Sequence, residues 1–120
     1  MNFLVAGSVT ALLGVALGAF GAHTLKSSLD EYSLGVFEVG VRYQMYHSFA
    51  LLFVGWMLQN QTNSTLNFAG WMFLAGIIIF SGSLYTLAVT GIKTFGAITP
   101  IGGLCFLLGW GALVYEFYKK

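Results

Sequence analysis

The chain has 120 residues, 58% of them hydrophobic and only 8% charged, with a formal charge of +1; soluble domains carry about 25% charged residues. This composition excludes an ordinary soluble domain, and five Lys and Arg residues against four Asp and Glu give no basic patch of the density that nucleic acid requires. One domain embedded in a lipid bilayer is expected, built of helices, because a lone proline and four long apolar runs do not alternate every second residue as barrel strands do.

The first apolar run extends from Phe3 to Ala22 and predicts a span over 3–24. A signal peptide is the competing reading, since Ala19 and Gly21 match a small-residue cleavage pattern. The charged leader is missing apart from the terminal amine, however, and the run exceeds the usual apolar core of about 7 to 15 residues. Gly7, Ala11, Gly14, Gly18 and Gly21 recur at alternating four- and three-residue steps. They draw one small-residue stripe along a helix, the usual basis of close packing where lipid supplies no hydrophobic drive. Its partner is either another helix of this chain or a second copy. His23 closes the helix off the stripe, and Lys26 marks the exit to water.

Ser28 with Glu31 three residues later is a capping-box pattern. From there Leu29, Tyr32, Val36, Val39 and Tyr43 recur at helical steps and predict an amphipathic lead-in, lying in the interface or projecting as the start of the second span. Gly35 and Gly40 are expected bend points. The strictly apolar run Phe49 to Leu58 is shorter than the roughly 20 residues a crossing needs, so the second span must begin earlier, over 40–59. That register puts Arg42 at the membrane boundary and Tyr43 and Tyr46 at interfacial depth, with His47 about 7 Å further in. Glu38 and Arg42 stand in the i, i+4 order that favours an ion pair. Tyr43 and His47 share a different face.

Asn60 to Thr65 is an uncharged connector with Asn-x-Ser/Thr matches at Asn60 and Asn63, read as loop composition. The third span, 67–90, carries Ala69, Gly76, Ser83 and Thr90 at seven-residue intervals. Ser81 and Ser83 are expected to bond carbonyls of the preceding turn rather than act as nucleophiles. Gly91 reads as a helix terminator, and Thr99 then Pro100 as an N-cap followed by proline at the first helical position. The fourth span, 99–118, has Gly102, Cys105, Gly109 and Ala112 in a third small stripe, continued by Glu116 before Lys119 and Lys120.

Together these elements predict an all-α integral membrane four-helix bundle with an amphipathic lead-in to the second helix. The packing positions are Gly7, Gly14, Gly18, Gly21, Gly76, Ser83, Gly102 and Gly109. An even number of crossings puts both termini on one side. Lys26, Arg42 and Lys93 stand against Lys119, Lys120 and the amine; with Arg42 partly embedded the balance tips toward termini in the cytoplasm. His23, Glu38, Arg42, Tyr43, His47 and Tyr85 fall toward one membrane face, and they form the candidate polar pocket.

Gly18-Ala19-Phe20-Gly21-Ala22-His23, Arg42-Tyr43-Gln44-Met45-Tyr46-His47, Phe80-Ser81-Gly82-Ser83-Leu84-Tyr85 and Thr99-Pro100-Ile101-Gly102-Gly103 together resemble the small YgdD/YwdK family of bacterial inner-membrane proteins. That resemblance implies a short multi-pass protein of the cell membrane and brings no catalytic residues with it. The residues themselves favour a non-catalytic accessory or assembly protein working through helix packing in a homo-oligomer or larger membrane complex, without cofactor or nucleic acid. The alternative is a binding or conducting protein holding a quinone, lipid headgroup or proton near Arg42 and His47, since ionisable groups at membrane depth are functional candidates. Enzymatic chemistry ranks third. Two histidines are too few for a metal site, and no phosphate loop or nucleophile elbow is present.

Overall fold

A computed structural model describes residues 2–120; the terminal amine of the charge balance, on Met1, lies outside them. Four helices account for most of the chain: α1 (Phe3–His23), α2 (Glu31–Met57), α3 (Ser64–Thr90) and α4 (Thr99–Tyr118). Short 3-10 turns at Leu25–Ser27 and Lys93–Ala97 lie in the connections at one end. Within α3 the residues Ile77–Ser81 form one wide, π-helical turn. Among the described residues α1, α3 and the Lys93–Tyr118 segment are each long and apolar enough to cross a membrane. α2 is less apolar, and its packing explains why.

α2 is the central helix. It packs along α1 on one side and along α3 on another, while α4 packs chiefly on α3. Gln44, His47, Ser48, Leu51 and Val54 are buried against these neighbours, whereas Tyr46, Phe49, Phe53 and Trp56 face outward at helical spacing. Polar groups therefore point into the bundle and apolar ones toward lipid, the arrangement hydrocarbon demands. The apolar core lies toward one end, where Phe3, Leu51, Val54, Leu66, Phe73, Phe106 and Leu113 pack together.

The small-residue stripes are filled from within the chain. Gly7 lies against Leu52 and the Ser48 carbonyl, Gly14 against Met45, Gly18 against Val41 and Gly21 against the Phe37 ring, so the partner of the first stripe is α2. Gly76 receives Phe106 and Gly109 receives Phe73, which seats α4 on α3. At Gly102 the backbone of Phe80 comes so close that even a methyl group has no room. Ser83 meets Thr99 through their hydroxyls at 2.6 Å. Thr90, the last member of its seven-residue series, is exposed and bonds only back to Thr86.

Several local expectations are corrected. α2 is capped by Asp30, whose carboxylate accepts the Ser33 amide at 2.7 Å, and not by Ser28, whose hydroxyl turns back to Thr24; the 3-10 turn places Ser28 too early to cap. α2 runs unbroken through Gly35 and Gly40, because Gly40 is a seat for the Tyr85 ring and not a bend. Ile98, without a side-chain cap, precedes α4, and Thr99 has already entered the helix with its hydroxyl facing Ser83. Ser81 donates not to its own preceding turn but to the Gly40 carbonyl at 2.7 Å, on α2. Gly91 ends α3 in the left-handed conformation, φ 71°, as a terminator should.

Two outcomes follow from this packing. Gly102→Ala should destabilise the bundle by about 1–3 kcal/mol through overpacking, whereas Gly111→Ala, which meets nothing within 4 Å, should stabilise by up to about 1 kcal/mol through helix propensity; thermal unfolding in detergent measures both. The Ser33 amide holds the Asp30 carboxyl below its ordinary value of 3.8. A lowered native value means the cap is fully present above that ordinary value and is lost as pH falls through the native one. Hydrogen exchange should accordingly show the Ser33 amide protected near neutral pH and unprotected in acid below 3.8.

Candidate functional site

Two clusters of polar side chains lie on different faces of α2. The first joins three helices through Gln44, which is 4% exposed. Its amide nitrogen donates to the Thr10 carbonyl of α1 at 2.7 Å, and its amide oxygen accepts the Tyr85 hydroxyl of α3 at 2.5 Å. One turn on, the Ser48 hydroxyl stands 2.7 Å from both the Thr10 hydroxyl and the Gln44 carbonyl. A primary amide suits this junction because it is donor at one end and acceptor at the other, so α1 and α3 are tied to opposite ends of one side chain.

The second cluster surrounds His47. Its Nδ1 lies 2.7 Å from the Tyr43 carbonyl, and the Trp110 indole donates to Nε2 at 3.0 Å. An indole N-H can only donate, so Nε2 is the acceptor and Nδ1 carries the hydrogen that goes to Tyr43. The ring stacks on Phe106 with centroids 3.6 Å apart and planes at 9°, and Phe73 and Tyr43 complete an aromatic surround. Both nitrogens are engaged, and the histidine is held as a neutral packing group between α2 and α4.

The residues of the candidate polar pocket are thus distributed over several places. His23 is exposed at the end of α1. Glu38 and Arg42 flank a recess of about 160 Å³ over Gly18 and Gly21, both exposed. No ion pair forms between them; the one ion pair among the described residues joins Lys119 and Glu116. Tyr43 and His47 line a groove of about 770 Å³ between α2 and α4. Tyr85 belongs with Gln44 and Thr10 beside a cleft of about 470 Å³ between α1 and α3. Among the described residues no three His, Cys, Asp or Glu side chains gather as a metal-ligating group.

The sequence reading overlooked Gln44, Ser48, Thr10 and Trp110. A signal for the first two was present, since Gln44 and Ser48 interrupt the apolar face at i, i+4 spacing, the spacing of neighbours on a helix surface. At the opposite end of the bundle Glu116 is 2% exposed. It accepts the Asn63 amide at 2.7 Å and lies 3.1 Å from the Lys119 ammonium. Asn63 also caps α3 by accepting the Leu66 amide, so it is a tie between connector and α4 and not mere loop composition.

Comparison with known proteins places the chain among sequences of matching length. The family model described as protein of unknown function (DUF423) matches residues 17–103. A UPF0382 membrane protein of Staphylococcus aureus is 46% identical, covering 98% of this chain and 95% of its own. The UPF0382 membrane protein YwdK of Bacillus subtilis is 44% identical, covering 98% and 96%. No solved structure matches.

If Gln44 ties three helices together, a double-mutant cycle of Gln44→Leu and Tyr85→Phe, read by thermal unfolding in detergent, should give a coupling of about 0.6 kcal/mol and at most about 1.7 kcal/mol, the range of interhelical hydrogen bonds in membranes. Strict additivity would show that the bond contributes nothing.

Proposed function

The chain belongs to the DUF423 family of membrane proteins of unknown function, and from that premise we propose that it is a non-catalytic accessory or assembly protein of the cell membrane. In this reading it crosses the bilayer four times, with both termini in the cytoplasm. The second crossing is placed over 40–59, of which α2 supplies residues 40–57, about 27 Å of helix, close to the hydrocarbon thickness of about 30 Å. Its polar groups are shielded by α1, α3 and α4. The cytoplasmic orientation rests on Lys26 and Lys93, with Arg42 partly embedded, against Lys119, Lys120 and the terminal amine.

The non-catalytic reading is supported by how the buried polar groups are engaged. His47, Gln44, Ser48, Ser81 and Tyr85 all satisfy one another or a backbone carbonyl, so no base stands free beside a nucleophile. What is left for a partner is surface. The glycine stripes are occupied within the chain, which removes them as docking faces.

The observation that carries the proposal is the cleft between α1 and α3. α1 packs along α2 and meets α3 at Phe3, whose ring sits on Gly70 and against Trp71. Further along, the two helices part over Thr10, Ala16 and Gly82, and a side chain at Gly82 would meet nothing within 4 Å. Ala16 and Gly82, small residues among larger apolar ones such as Leu13, Leu17 and Ile78, leave room at this cleft for another transmembrane helix.

Affinity purification of the tagged full chain in mild detergent, with mass spectrometry and a second tag to detect self-association, tests this. A partner helix should be retained by the native chain and lost in Gly82→Leu and Ala16→Leu, with the melting temperature little changed. The same partners recovered from both variants, or none from the native chain, would overturn the proposal.

A further inference from the structure

The groove between α2 and α4 is a separate feature from the α1/α3 cleft. It exists because the stacked rings of His47 and Phe106 hold the two helices apart, while Gly103 leaves the α4 edge without a side chain. Its walls are Tyr46, Pro100, Gly103, Leu107 and Trp110. Leu107 is 70% exposed and Tyr46 53% exposed, so in a membrane protein the groove opens sideways onto acyl chains. From Pro100 to Trp110 it runs about 15 Å along α4. Within its lining Trp110 and His47 bond each other, and the indole N-H has no second hydrogen to offer.

A charge stands beyond one end, outside the groove's own lining. Arg42 is the chain's sole arginine and stands one turn nearer the boundary than Tyr46 on the exposed strip of α2, since i and i+4 are neighbours on a helix. It makes no ion pair among the described residues, although Glu38 lies one turn further toward water on the same small recess. A guanidinium at headgroup depth favours phosphate oxygens through paired, charge-assisted hydrogen bonds. We propose that this groove holds an anionic phospholipid, one acyl chain lying along Gly103 and Leu107 and its phosphate on Arg42. The proposal shares with the preceding section the crossing of α2 and nothing else; it requires no protein partner.

Native mass spectrometry of the full chain in mild detergent, with phosphatidylglycerol and phosphatidylcholine of identical acyl chains, provides the test. One phosphatidylglycerol should be retained in preference. Arg42→Gln should reduce that preference about fivefold, the effect of one basic residue near an anionic surface, and Arg42→Lys should restore it only in part, because lysine keeps the charge and loses the paired hydrogen bonds. Gly103→Leu should abolish retention of either lipid by filling the groove. A Cβ there meets the Phe80 ring at an ordinary 3.9 Å, so the fold is expected to survive, and Leu107→Trp fills the same space from an exposed position. Equal retention of phosphatidylcholine, phosphatidylglycerol still bound in both groove-filling variants, or a neutral isoprenoid recovered in its place would overturn the assignment. Because the readout is a lipid, failure here leaves the α1/α3 cleft untouched, and failure there leaves this groove untouched.

Discussion

Hydrocarbon offers no hydrogen bonds, and the architecture turns on how one side chain meets that constraint. Gln44 sits at the middle of the bundle with a donor and an acceptor that must both be used, and it uses them on different helices. In water such bonds would compete with solvent. Here the alternative is an unsatisfied amide in lipid, which costs several kcal/mol. The amide therefore fixes the rotation of α1 and α3 about α2, and the helix with the most polar face becomes the one at the centre.

Around that junction, steric fit sets the distances. Glycine on one helix accepts an aromatic or branched group from the next: Gly21 takes Phe37, Gly40 takes Tyr85, Gly76 takes Phe106 and Gly109 takes Phe73. Each pairing places a large ring over a missing side chain, so the helices approach without leaving voids. Between α2 and α4 ring meets ring instead: Phe106, seated on Gly76 of α3, presents its face to His47 of α2, and this stack separates the two helices. The same residue types thus produce close seams in one place and a lateral opening in another.

Much of this was legible in the sequence, and the reason is period. The spacing of Gly7, Gly14, Gly18 and Gly21 announces a packing face whatever covers it, and the shortness of the Phe49 to Leu58 run forces the second helix back through Arg42. The small stripes and the membrane class needed no coordinates. Which helix fills each stripe was not legible, because it depends on contacts between residues far apart in the chain. Glu116 and Asn63 are 53 positions apart, and neither shows from its neighbours that the other will satisfy it. Arg42 and Glu38 misled in the opposite sense: their spacing permits an ion pair, but both lie exposed, where such a pair is worth little. His47 reads as an ionisable group at membrane depth, and its indole partner, 63 residues away, does not show from its neighbours.

The wide turn at Ile77–Ser81 governs how the far half of α3 is aligned. It accommodates extra backbone within α3, and the residues after it face where they do only because of that surplus. Winding the same five residues as ordinary α-helix, with none removed, would turn everything beyond them by roughly 100°. Tyr85 would then leave Gln44, Ser83 would leave Thr99, and the two halves of the bundle would lose their common alignment at one stroke. The far half of α3 thus keeps its partners only while this stretch holds its wider winding.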